Sequence, residues 1–88
     1  MSHRPVTSSN PFCYMGGKPL LSINSGVPVA DAMQHVSDLL ECVRSLTQAV
    51  ATQTGKPVDA FAAFYLSEMA KAVVDACQDG VTHVGAGQ

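Results

Sequence analysis

Few side chains in this sequence could do chemistry, and they are spread out. Asp31, Asp38 and Glu41 lie near one another in the chain and are the only grouping that suggests an acid–base pair. General acid–base work needs two carboxyls converging in a cleft, with surroundings that drive their pKa values apart. Read as part of a helix, these three project outward together with Gln34, Ser37, Arg44 and Gln48, which makes them a solvated face. His35 and Cys42 stand one heptad apart, which is about 10.5 Å along a helix. That separation is too long for one metal ion or a thiolate–imidazole pair within a single chain. Asp38, three residues from His35, could pair with it only weakly. Gly16-Gly17-Lys18 sets glycines before a lysine but lacks the full spacing of a phosphate loop, and no helix follows it directly. Cys13, Cys42 and Cys77 show no metal-ligand spacing. Cys77 falls on an apolar arc and reads as a packed thiol, Cys42 as a packed cysteine, and Cys13 as the thiol most exposed to oxidation. No catalytic, cofactor-binding or metal-binding residue is assigned, and an enzyme is not expected.

The elements that would position such residues are clearer than the residues themselves. Val29, Val36, Val43 and Val50 recur every seven residues, with Leu39 and Leu46 beside them and Met33 and Leu40 widening the stripe. This spacing predicts a helix over residues 28–54, packed lengthwise on another helix. Pro28 suits its first turn, Asp31 favours its positive end, and Gly55 supplies a left-handed stop. Pro57 and Asp59 open a second helix in the same way, predicted over 57–79 with Gly80 as its terminator. The short connection makes the two helices antiparallel neighbours. On a wheel, the second helix is apolar over more than half its girth. Phe61, Tyr65, Met69 and Val73 face one way, and Leu66 and Cys77 extend the arc. One neighbouring helix cannot cover that much surface.

The expected fold is therefore all-α: an antiparallel two-helix hairpin dimerising into a four-helix bundle. Its seam would comprise Val29, Met33, Val36, Leu39, Leu40, Val43, Leu46, Val50, Phe61, Tyr65, Leu66, Met69 and Val73. Residues 1–19, with three prolines and no periodicity, read as a mobile N-terminal arm, residues 20–79 as the hairpin domain, and residues 80–88 as a flexible tail. Leu20–Asn24 reads either as a short strand paired with its own copy across the dimer or as merely extended chain. Phe64 is awkward, because it sits in the polar strip of the second helix near Glu68 and Lys71. It is a candidate partner contact, as are Phe12 and Tyr14 in the arm; the arm itself or a foreign protein could cover it.

Composition narrows the partners. The chain has 88 residues, of which 47% are hydrophobic and only 14% charged, so a modest core must hide a large apolar surface. Five basic residues against seven acidic ones leave no basic patch for nucleic acid and no cationic run for a membrane surface. No apolar run approaches the roughly 20 residues of a bilayer span, and no export signal is visible. A cytoplasmic protein with reduced thiols is the expectation.

Ile23 to Ala51 carries Gly26-Val27-Pro28, Asp31-Ala32-Met33, Ser37-Asp38-Leu39-Leu40 and Cys42; the second half carries Ala63 and Tyr65-Leu66-Ser67-Glu68-Met69-Ala70-Lys71-Ala72. Over about residues 20 to 79, these blocks resemble a pseudomonad family of short proteins catalogued as a domain of unknown function. The resemblance implies a bacterial, cytoplasmic helical hairpin and confers no activity. In architecture alone, the chain is also similar to the small quorum-sensing antiactivators, helical dimers that bind a transcription factor. The expected function is a non-enzymatic interaction module, a homodimer that binds another protein as a regulator. The alternative is a small-molecule sensor or carrier with an apolar pocket between helices.

Overall fold

The computed structural model describes residues 4–86. The elements run β1 (Asn10–Met15), β2 (Lys18–Ile23), α1 (Val29–Ala51) and α2 (Pro57–Ala86). The two strands form an antiparallel hairpin, so the fold is mixed α/β, and the expectation of an all-α hairpin forming a four-helix bundle is corrected. Its partner strand also corrects the reading of Leu20–Asn24. β2 pairs within the chain, with Asn10 opposite Ile23, Phe12 opposite Leu21 and Met15 opposite Lys18. The boundary drawn at residue 19 falls inside β2. Residues 1–3 of the expected arm and 87–88 of the expected tail lie outside the described residues.

Gly16 and Gly17 make the hairpin turn. Their φ values of 58° and 81° are both positive, the requirement of a two-residue type I′ turn, which only glycine meets without steric cost. One further position is irregular: Cys13 has φ 58°, and the ladder skips it between the Phe12–Leu21 and Tyr14–Pro19 pairs.

Both helices begin as their sequences require. Pro28 is the N-cap of α1, and Pro57 opens α2, where the Asp59 carboxylate accepts the Lys56 N–H at 2.9 Å. Their ends differ from expectation. α1 stops at Ala51, and the left-handed residue is Gln53 (φ 60°), not Gly55. The Gln53 N–H donates to the Val50 carbonyl (3.1 Å) and the Thr54 N–H to the Ala49 carbonyl (2.9 Å), completing a Schellman closure. α2 continues through Gly80 to Ala86, so residues 80–86 belong to the helix.

Gly80 is there for a different reason. Residues before β1 cross α2 at this point, and a Cβ on Gly80 would overlap the Val6 carbonyl oxygen. The crossing follows a track of small residues four apart, Ala72, Ala76 and Gly80, all buried. The Ser8 N–H donates to the Ala76 carbonyl (3.0 Å) and Asn10 Nδ2 to the Ala72 carbonyl (2.9 Å). Thr7 is the buried polar residue at the centre, 2% exposed. Its N–H donates to the Val27 carbonyl (2.7 Å), and its carbonyl accepts from Gly26 (2.9 Å). Its hydroxyl donates to the Asn24 carbonyl (2.8 Å) and accepts the Val27 N–H (3.1 Å). Pro5 completes the clasp by accepting the Val29 N–H (3.1 Å), one of the otherwise unpaired donors of the first turn of α1.

α2 packs against α1 on one flank and against the strands on the other, while α1 does not reach the strands. The core lies between the helices, built from Ala32, Val36, Leu39, Ala70, Val73 and Cys77. The Cα trace measures 52 × 31 × 14 Å. The least dimension is short because α1, α2 and the hairpin lie side by side rather than stacked. Stable domains pack at least two layers around a core.

Candidate functional site

The polar candidates do not converge. Glu41 pairs with Arg44 on the surface of α1, with Arg44 Nη2 2.6 Å from Glu41 Oε1 and both side chains about two-thirds exposed (65% and 64%). The hydrogen bond from Arg44, then its charge, holds the Glu41 carboxyl below its ordinary pKa. Asp38 meets only Gln34, at 3.5 Å. Lys71 pairs with Asp75 at 2.8 Å on α2. His35 and Cys42 are both exposed on α1. Among the described residues, no three His, Cys, Asp or Glu side chains come together as a metal ion would need.

The thiols rank differently from expectation. Cys42 is exposed rather than packed, Cys13 is half-buried rather than the most open, and Cys77 is buried. Burial pushes the Cys77 pKa up. Since the thiolate is the nucleophile, alkylation followed by mass spectrometry at mildly alkaline pH should modify Cys42 first and Cys77 last. Reaction of Cys77 ahead of Cys42 would show that α1 and α2 are not packed as described.

The apolar candidates divide into three groups. Val36, Leu39 and Val73 are buried between the helices, and Val29, Leu66 and Met69 pack against them half-buried. Val43 and Leu46 are half-buried on α1. The remaining seam residues face solvent: Met33, Leu40 and Val50 on α1, Phe61 and Tyr65 on α2. The structure thus brings one part of the predicted seam together inside the chain and leaves the other uncovered. Phe61 and Tyr65 continue, with Val58, along the N-terminal half of α2.

The three candidate partner contacts do not form one patch. Phe12 and Tyr14 line a cleft of about 420 Å³ between β1 and α2, with Ser67, Glu68, Lys71 and Asp75 on its helical wall. Phe64 is 57% exposed and lines not this cleft but the adjoining groove, with Ser67 on the wall of both. The segment before β1 does not cover it, because that segment docks on the Ala72–Gly80 track. Phe64 meets Tyr65 edge-on, ring centroids 5.7 Å apart.

Phe64 belongs to an open apolar face shared by both helices. Near the interhelical connection it lines a groove of about 390 Å³ with Val43, Thr47, Val50 and Ala63. At the other end, Val29 and Met33 of α1 face Val74, Cys77 and Val81 of α2 across a groove of about 670 Å³. Between them Met33, Val36 and Leu40 line a third. Met33, Leu40 and Thr47 are seven residues apart on α1 and border the grooves in turn, so all three grooves open on one side of the layer. Sequence reading put Met33, Leu40, Val43 and Val50 in the expected dimer seam. It did not place Thr7, Asn10 or Gly80 anywhere functional, although the four-residue spacing of Ala72, Ala76 and Gly80 was available as a signal of close backbone approach.

The chain belongs to the family described as "Protein of unknown function (DUF3077)", whose pattern matches residues 7–80. The match takes in the docked N-terminal segment from Thr7 onward and the β-hairpin, wider than the resemblance over residues 20 to 79. No curated protein and no solved structure matches the chain. No helix among the described residues is long and apolar enough to cross a membrane.

Proposed function

We propose that this member of the family is a non-enzymatic protein-interaction module, and that its working surface is the open helical face around Met33, Leu40, Val50 and Phe64. One observation carries this reading. One side of the helix pair presents grooves walled by valine, leucine, methionine and phenylalanine, and none of the described residues packs over them. Contiguous apolar surface of this kind marks a place where another macromolecule packs. The grooves are shallow and open, a shape suited to a broad protein contact more than to enclosing a small ligand.

A narrower form of the proposal makes the module a bacterial regulator whose partner is a transcription factor. That form rests only on the likeness, read from the sequence, of the helix pair to the helical antiactivators. A cytoplasmic setting belongs to the proposal as well, in keeping with three cysteines of which none is paired.

The test uses a photo-crosslinking phenylalanine analogue. Placed at Phe64 and irradiated in cells, it should yield adducts with protein; placed at Gln48, on the polar side of α1, it should not. Equal yields at the two positions, or no protein adduct at Phe64, would reject the module.

A further inference from the structure

We infer that the missing layer is a second copy of this chain, packed on the open face so that the same patch of each copy meets the other. This rests on the interaction-module reading and names the partner. Three observations support it.

The first is area. The chain exposes 6230 Å², whereas a compact monomer of 9.2 kDa exposes about 4,900 Å². The surplus, about 1,300 Å², exceeds the roughly 800 Å² each partner buries in a standard stable interface. The radius of gyration, 15.5 Å, is likewise larger than the about 12 Å of a compact chain of this length.

The second is the poverty of the internal core. Its buried apolar residues include Ala32, Ala63, Ala70, Ala72 and Ala76, and no large side chain among the described residues is fully enclosed. A chain with so little buried bulk needs its second layer whenever it is folded. An identical chain is the partner supplied in equal amount from the same synthesis, and binding only the folded form stabilises it by mass action.

The third is charge. In a twofold contact each group of the patch meets the patch of its twin, so a net charge there would meet its like. Among the described residues lining the three grooves, Glu41 and Arg44 neutralise each other at 2.6 Å, and only Asp79, at the end of one groove, is an additional charge. The formal charge of the whole chain is −2, too small to oppose association strongly. A partner recognised through charge would find little to read here.

Light scattering on the purified full chain at tens of micromolar should give twice 9.2 kDa. Leu40→Glu and Phe64→Glu should each shift the mass to that of one chain, weakening association at least 100-fold. Phe61→Glu, which changes an exposed aromatic away from the grooves, should leave the dimer intact. Should the Leu40 and Phe64 variants fail to fold, the photo-crosslinker at Phe64 of the otherwise unaltered purified chain still decides. Irradiation should then produce a covalent dimer with the adduct on Met33, Leu40, Val50, Val74 or Val81. A single-chain mass at every concentration, or adducts only on the strand side of α2, would overturn the inference. If the chain is monomeric while the Phe64 probe captures a different protein in cells, the second copy is rejected and the module stands. If the probe captures nothing in either setting, both fall.

Discussion

Gly80→Ala should destabilise the protein by about 2–4 kcal/mol, against the sign that helix propensity assigns to it. Glycine inside a helix is about 1 kcal/mol less favourable than alanine, so on an isolated α2 the substitution would help. In the folded chain the new methyl would occupy the position of the Val6 carbonyl oxygen and press on Thr7. The obstacle is backbone, which cannot rotate aside as a long side chain can. The N-terminal segment must lift off α2, losing the Ser8 bond to Ala76 and straining the Thr7 bonds to the loop before α1. Urea unfolding followed by circular dichroism reads the sign, and amide exchange at Thr7, Gly26 and Val27 shows where protection is lost. A variant more stable than wild type would show that the segment does not cross α2 there.

Thr7→Val should cost about 1–3 kcal/mol, a second large effect. Valine keeps the shape of threonine and removes the hydroxyl. The Val27 N–H then loses its acceptor and the Asn24 carbonyl its donor, at a residue 2% exposed. Leaving a donor unsatisfied costs more than the net worth of the bond, which is why a change of one polar atom matters here. Thr7→Ser keeps the hydroxyl and should recover most of the loss in the same urea titration. Equal stability of the valine and wild-type proteins would mean that the clasp contributes nothing.

How much of this was legible in the residues depends on the range of the forces involved. The helices were, because a seven-residue recurrence of Val29, Val36, Val43 and Val50 is a local pattern repeated over several turns. Their starts were legible through Pro28, Pro57 and Asp59. Their ends were not: Gly55 and Gly80 looked like terminators, yet the left-handed turn falls on Gln53 and the helix runs through Gly80. Glycine serves equally for a positive φ and for close approach of another backbone, and only the tertiary structure tells which use applies. The hairpin was missed although Gly16-Gly17 between two short runs is a turn signal. Pro11 and Pro19, the kink at Cys13 and the lack of clean alternation disguised the strands. The candidate face was half legible. The spacing placed Met33, Leu40 and Val50 on an apolar stripe, and the heptads could not say which members α2 would bury and which it would leave open.

The clasp also has a bearing on how the chain is made. Ser8 and Asn10 find their acceptors on Ala76 and Ala72, near the far end of the sequence. A ribosome releases the first of these long before the second, so the amino-terminal piece must wait, with Thr7 and Phe12 unshielded, until Ala72 and Ala76 have emerged. Docking across so long a loop belongs to the slow, late part of folding. A nascent chain halted before residue 72 should therefore hold the stretch around Thr7 open to proteases, and a chain extended well past Gly80 should protect it.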